Sequence, residues 1–475
     1  LRYRYTTSED QYPDSGFYYI KPESAGMNGR VSQLLALRPG EAGLVLLLAI
    51  LLMGNSAALA VSNVVSVSGF LSEVGVNQIL IVWIVDMLLV MLSTGLQSLI
   101  IDRYERVSLL RWMSFLFALL YVVLRMFFVF GVPGWINYSI LFLLTEQQWL
   151  FFPLIFWTLA NDLFDMAQAK RLFPLIASGN FVGQILGLGV AAAAPELLSR
   201  VDVSSAELLS MSVLIYLLLY LLISEGLRNV NLRRRSRQHE SLRETLTEGW
   251  GFVKDVPSFR YLMLGMLVVN VAFTVVEFHF LSVTSSSEFF GSAGSFQTFY
   301  SLYNLGATLA AIAFQVLLTG RLIGRFGLRN TFLIFPLILL GGISWIVLFP
   351  VSVISVVGGL GLPRLSKSTI DESARKSFQA LVPEERRGRV SMFMDSYLFA
   401  AGAIVGSLIL GAVLLIGDQL DLSRVYFVYL AIAALAALVA LWFIFRMRAV
   451  YDASLLNWRL KRRHRAVNVL EKLEF

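Results

Sequence analysis

The chain has 475 residues, 57% of them hydrophobic and 15% charged, with a formal charge of +7, three histidines and no cysteine. Globular domains run nearer half apolar and a quarter charged, so this composition excludes a soluble fold with an ordinary polar coat. It also excludes disulfides, thiolate metal sites and cysteine nucleophiles, and His239, His279 and His464 are too few for a histidine metal cluster.

Residues 1–40 are polar and aromatic, with Pro13, Pro22 and Pro39, and read as a cytosolic lead-in. Apolar runs of 18 or more residues then recur, each long enough to cross about 30 Å of hydrocarbon. A signal peptide would supply one such run, not a series. The runs predict helices near 42–66, 78–101, 107–131, 136–161, 173–194 and 207–227, then near 259–283, 296–319, 328–349, 352–376, 390–416 and 424–447. The fold class is therefore all-α integral membrane: twelve transmembrane helices in two pseudo-symmetric six-helix bundles, 41–228 and 259–448. Between them, 229–258 is a polar cytosolic linker. Ser241 and Glu244 have capping-box spacing, and Leu242, Leu246, Trp250 and Val253 share one face, so an amphipathic interfacial helix is predicted there. Residues 449–475 form a basic, amphipathic C-terminal cytosolic helix, which lies on the membrane or leads into a fused cytosolic domain.

Charge fixes the orientation. Every second loop is basic: Arg103, Arg106 and Arg111; Lys170 and Arg171; Arg228 through Arg243 in the linker; Arg321, Arg325 and Arg329; Arg386, Arg387 and Arg389; and Lys461 to Arg465 in the tail. The alternate loops hold only Arg200 and Arg424. Basic loops stay on the cytoplasmic side, so both termini are predicted there, and the net charge is explained without nucleic acid.

The halves echo each other. Ser98-Leu-Ile-Ile-Asp102-Arg103-Tyr-Glu-Arg106 follows the second helix, and Gly320-Arg-Leu-Ile-Gly324-Arg325-Phe-Gly327-Leu-Arg329 follows the eighth. Both resemble the G-x-x-x-D-R-x-G-R-R loop of the major facilitator superfamily, although the first lacks its glycines and the second its aspartate. The resemblance implies a gating loop of Asp102, Arg103 and Arg325. Gly183 and Gly402 are 219 residues apart, as are Gly187 and Gly406; with Gly179 they form small-residue stripes suited to close helix packing.

Polar groups within a bilayer are costly and mark pathways. Helix 1 carries Asn55, Ser56, Ser62 and Asn63; helix 4 Glu146, Gln147 and Gln148; helix 7 Asn270, Thr274, Glu277 and His279; helix 10 Arg364 and Lys367. In the facilitator fold these four helices line the central cavity. Arg364 lies about twelve residues into its helix, about 18 Å deep. Two cations at that depth call for an anionic solute, for pairing with Glu146, or for snorkelling to the cytosol. Asn55, Glu146, Gln147, Gln148, Asn270, Thr274, Arg364 and Lys367 are the predicted substrate contacts. Asp86, Glu277 and His279, like Glu146, are candidates for proton coupling, with structural ion pairing the competing reading.

Two segments carry a narrower resemblance. Phe156-Trp157-Thr-Leu-Ala160-Asn161 runs into Ala169-Lys170-Arg171-Leu-Phe173-Pro174-Leu175, and Ser373-Ala374-Arg375 into Val382-Pro383-Glu384-Glu385-Arg386, Gly388-Arg389 and Asp395. Both resemble the ATP/ADP translocase (nucleotide transporter) family of plastids and intracellular bacteria, with its free-living bacterial relatives. That resemblance implies nucleotide exchange by alternating access, with Glu146 in the place of the family's helix 4 glutamate and Lys367 near its helix 10 lysine. The family's helix 1 lysine has no counterpart here, which weakens the case for a triphosphate. The predicted function is secondary transport of an anionic metabolite, a nucleotide being the named candidate, in a bacterial inner membrane. The alternative is a transport-inactive scaffold or sensor subunit of a larger membrane complex. Lipid is the expected surroundings, and no cofactor, metal or nucleic acid is called for. G-x-x-x-x-G-K-[ST], H-E-x-x-H and G-x-S-x-G motifs are absent, which argues against an enzyme.

Overall fold

The computed structural model describes residues 38, 41–101, 104–200, 205–228, 256–286, 290, 292–379, 382, 390–420, 422 and 424–471. The lead-in before residue 38, the predicted linker helix, Asp102, Arg103 and 383–389 lie outside the described residues.

The first half comprises α1 (Ala42–Glu73), α2 (Ile79–Ile101), α3 (Arg106–Val129), α4 (Gly134–Leu163), α5 (Met166–Ser199) and α6 (Leu208–Gly226). The second comprises α7 (Pro257–Thr284), α8 (Ala293–Phe314), α9 (Ile334–Leu348), α10 (Val353–Ser366), α11 (Leu398–Gln419) and α12 (Val425–Glu471). A helix stands at each expected place. Among the described residues ten are long and apolar enough to cross a membrane, and α10 is interrupted by a π turn. The break expected near residue 448 is absent: α12 runs unbroken for 47 residues, about 70 Å.

Local chemistry sets several helix ends. Asp165 and Gln168 cap α5 reciprocally, with Gln168 N–H donating to Asp165 Oδ1 at 2.7 Å. Pro257 begins α7, where its missing N–H costs nothing. Gly327 has φ +73°, a conformation L side chains rarely adopt, and there the extension of α8, Gly320–Phe326, turns into the next element.

The second half contains three π-helical turns among the described residues: Gln315–Thr319 after α8, Lys367–Asp371 after α10 and Phe393–Tyr397 before α11. Competing hydroxyls accompany two of them. Thr369 Oγ1 donates to Leu365 O at 2.7 Å, and Thr319 Oγ1 to Phe314 O at 3.3 Å. Pro363, lacking an N–H, lies just before the second.

The glycine stripes do what their spacing suggested. Gly179, Gly183 and Gly187 of α5 lie against the backbone of Ala49, Met53 and Ala57 in α1, and Gly402 and Gly406 of α11 lie against Leu267 and Val271 in α7. Sequence reasoning missed a third such crossing, where Gly342 of α9 meets Gly359 of α10. With no hydrophobic drive between helices in lipid, close backbone approach of this kind supplies dispersion contacts.

Most ion pairs lie at one end of the bundle: Arg106 with Asp162, Arg171 with Glu41 at 2.7 Å, Arg329 with Asp452 at 2.5 Å, and Arg375 and Lys376 with Asp395 at 2.5 and 2.6 Å; Arg125 with Glu207 and Arg200 with Glu196 lie at the other. Burial pushes the Glu41 carboxyl up. Bonds from Arg171, the Arg38 backbone N–H and Gln168 outweigh that and hold it below the usual carboxylate range. Away from this basic end the two halves share one apolar core, with Val64, Phe70 and Leu188 packed among residues such as Val276, Phe280 and Phe296. Gln297 and Thr298 of α8 donate there to the Ala191 and Ala192 carbonyls of α5, both at 3.1 Å. The first half keeps its own core along its length, around Phe152, Phe156 and Tyr216, and the second has one toward the basic end, around Phe259, Phe332 and Phe378; Met87 of α2 packs with Ala400 and Ala403 of α11 between the halves. The outer surface is apolar, with Ile354 81%, Val316 77% and Leu348 67% exposed, as lipid requires and water does not tolerate over so wide an area.

A Cβ at Gly183 would run into the Met53 carbonyl. Gly183→Leu is therefore expected to destabilise the protein by about 1–3 kcal/mol, the usual cost of overpacking. A lower melting temperature of the purified variant checks this, and Gly189→Leu, where a Cβ meets open space, is the control.

Candidate functional site

A cavity of about 200 Å³ lies between the halves, bordered by α1, α2, α4, α7, α8, α10 and the start of α11. Its polar wall is Asn63, Asp86, Glu146, Thr274, Glu277, Tyr300 and Arg364; Trp83, Phe142, Phe273 and Phe399 are prominent in the apolar remainder. Each polar group projects from a helix of otherwise apolar composition, so the cavity is a polar interior within a lipid-facing shell.

Arg364 comes from the last turn of α10. No carboxylate pairs with it among the described residues; its guanidinium carbon lies 5.9 Å from the Tyr303 ring centroid, and Tyr300 and Glu277 are its other electrostatic neighbours. The expected pairing with Glu146 is not made. Lys367, one turn on, is placed differently. Its Nζ sits 3.9 Å from the Phe273 centroid and 4.6 Å from that of Phe399, held by cation–π contact. Both rings border the cavity, so the ammonium stands behind the wall rather than on it.

Three carboxyl groups from three helices share the space. Asp86 is 1% exposed, and neither of its side-chain oxygens has a hydrogen-bond partner among the described residues. It interacts repulsively with Glu146, which in turn feels Glu277. No group of three or more His, Cys, Asp or Glu is arranged to hold a metal ion among the described residues.

Other predicted contacts lie elsewhere. Asn55 Oδ1 accepts from Tyr216 at 2.8 Å, and the Asn55 carbonyl accepts from Gln148 Nε2 at 3.3 Å. Tyr121 donates to Gln148 Oε1 at 2.5 Å, completing a polar network buried among α1, α3, α4 and α6. Asn55 and Gln148 thus hold the first bundle together and do not reach the cavity. Gln147 is beside Glu146, its amide buried without a hydrogen-bond partner among the described residues and not bordering the cavity. Asn270 donates to Met266 O at 2.8 Å and packs against Gly402, while Thr274 reaches the wall with its hydroxyl donated to Asn270 O at 2.9 Å. His279 is also structural. Its Nε2 is 2.8 Å from the Pro350 carbonyl, which can only accept, so Nε2 carries the proton and Nδ1 accepts from Tyr429 at 2.8 Å. Both nitrogens are spent on neighbours away from the cavity. Arg325 is exposed at the basic end, and its partners in the expected gating loop, Asp102 and Arg103, lie outside the described residues. Trp83, Tyr300, Phe273 and Phe399 were missed; in a chain with 35 phenylalanines and 17 tyrosines, nothing in the sequence separates them from lipid-facing aromatics.

The motif segments form corners. Trp157 packs on Phe156 and Phe173, both at 5.3 Å between centroids, closing the α4–α5 turn where Asp162 meets Arg106. At the equivalent place in the second half, Asp395 accepts from Arg375, Lys376, Gln379 and Ser391.

Residues 118–357 match the sequence profile of the family described as TLC ATP/ADP transporter. No curated protein sequence matches the chain. The fold is similar to that of the nucleoside transporter NupG, with a TM-score of 0.64 and 15% identity over 85% of this chain and 99% of that one. A peptide transporter of the POT family, PepTSo, gives 0.60 and 12% over 85% and 98%. A bacterial homologue of the iron transporter ferroportin in an inward-facing state gives 0.60 and 15% over 86% and 99%. These likenesses show the major facilitator fold.

The two kinds of polar residue should separate by experiment. Asn55→Leu leaves Tyr216 without its acceptor and is expected to cost about 1–3 kcal/mol of stability. Glu146→Gln, on the cavity wall, is expected to leave the melting temperature within a degree or two of the parent. Comparable losses in both would contradict this division.

Proposed function

Because the chain belongs to the TLC ATP/ADP transporter family and is a membrane transporter, we propose that it moves an anionic metabolite by alternating access, with a nucleotide as the specific candidate. The observation that carries the reading is Arg364: a guanidinium on the wall of a cavity between two bundles, with Glu277 as an electrostatic neighbour but no carboxylate in direct ion-pair contact among the described residues. A permanent cation in that position is matched by an anion that comes and goes. Tyr300 and Trp83 offer aromatic faces beside it.

The basic end is assigned to the cytoplasm by the positive-inside rule, in keeping with a bacterial inner membrane. The shared core then closes the outer side, and the separate cores toward the cytoplasm leave that side to open. At about 200 Å³ the cavity is smaller than the roughly 300–1,000 Å³ of most ligand sites. A nucleotide therefore enters as the bundles part on the cytoplasmic side.

Uptake of radiolabelled ATP, ADP and inorganic phosphate into proteoliposomes is the test. At least one is expected to be carried. Arg364→Ala is expected to weaken half-saturation by about 30- to 150-fold, the loss of about 2–3 kcal/mol from a charge-assisted contact. Absence of flux and binding for every nucleotide and phosphate compound would remove the reading.

A further inference from the structure

The central cavity carries more acid than base. Asp86, Glu146 and Glu277 set three carboxyl groups on its wall against the single guanidinium of Arg364. Lys367 adds a second cation behind the wall, its ammonium between the Phe273 and Phe399 rings and acting on Glu277, so the excess of acid falls on Asp86 and Glu146. Asp86 is the extreme case: almost wholly buried, without a hydrogen-bond donor among the described residues, yet bordering the cavity. A carboxylate deprived of water and of donors is costly unless a proton or another positive charge joins it. Arg364 has Glu277, Tyr300 and Tyr303 as neighbours, and Asp86 has Glu146; Glu277 also acts on Glu146 and so stands between the two. Asn63 and Thr274 add neutral oxygens to the lining.

We propose that the cavity is a dipolar site, in which Asp86 with Glu146 receives one positive charge while Arg364 receives the anionic group of the solute. The inference rests on the reading of this cavity as the transport site and narrows its substrate class. The solute enters as a zwitterion with its own ammonium group, or as an anion accompanied by a monovalent metal cation. A bare polyphosphate would leave Asp86 uncompensated and add negative charge beside Glu146.

The test uses the purified full chain at fixed pH, with unfolding followed by tryptophan fluorescence. Sodium chloride replaces N-methyl-D-glucamine chloride at constant ionic strength, and phosphoethanolamine is compared with inorganic phosphate. A saturable rise in melting temperature is expected with sodium, which identifies an accompanying cation, or with phosphoethanolamine beyond that given by phosphate, which identifies a zwitterion. Asp86→Asn is expected to abolish the response, and Glu146→Gln to raise its half-saturating concentration roughly tenfold, about 1.4 kcal/mol. If Asp86→Asn does not fold, Glu146→Gln carries the test. No response of the parent to either probe, or a parental response in the folded variants, overturns the proposal. Its failure is distinct from that of the transport reading: anion flux unchanged by Asp86→Asn would remove only the dipolar site, and a sodium or phosphoethanolamine response without nucleotide or phosphate flux would remove only the anion assignment.

Discussion

Hydrocarbon solvates neither a charge nor an unpaired peptide group, and every feature of this protein follows from that. The backbone satisfies itself within helices, and the ionised side chains divide into two populations. One is paired at the basic end, as Glu41 with Arg171 and Asp395 with Arg375 and Lys376. The other is sheltered between the bundles, where Asp86, Glu146, Glu277 and Arg364 surround a small open space. Lys367 shows a third arrangement, an ammonium set against two ring faces.

Helix–helix adhesion in lipid needs another source, and the glycine crossings supply it. Those between α1 and α5 and between α7 and α11 are built alike in the two halves, and the α9–α10 crossing adds a third close approach. They fix the helices that border the cavity and so position its wall. The aromatic and ionic corners at the helix turns serve the same end, with Trp157 wedged between Phe156 and Phe173. Those corner residues carried the family resemblance, which shows that a motif can be diagnostic of a family through architecture rather than through contact with a solute.

Helix positions and the glycine pairs were legible in the sequence, because apolar length and small-residue spacing depend on local pattern alone. Polar residues interrupting apolar helices were legible too: Asp86, Glu146, Thr274, Glu277 and Arg364 were singled out, and all five border the cavity. Rotation about the helix axis was not. Asn55 and Gln148 face the inside of one bundle and His279 bonds the Pro350 carbonyl near the helix end, and only their partners reveal it. The aromatic lining and the caging of Lys367 depend on contacts between residues more than thirty positions apart. The π turns were hidden because they arise from competition for individual carbonyls, which leaves no trace in hydropathy.

Those turns have a mechanical consequence. A π turn accommodates one residue more than an α turn over the same rise, so it holds slack in the helical ladder that can migrate or be taken up without a net loss of hydrogen bonding. All three among the described residues lie in the second bundle; those at Lys367–Asp371 and Phe393–Tyr397 flank the cavity-lining Arg364 and Phe399, and that at Gln315–Thr319 lies farther along from Tyr300. The first bundle has none among the described residues and is instead tied across four helices by the Asn55–Gln148–Tyr216 network. The two halves, alike in helix count and glycine crossings, therefore differ in how regularly their helical ladders are wound.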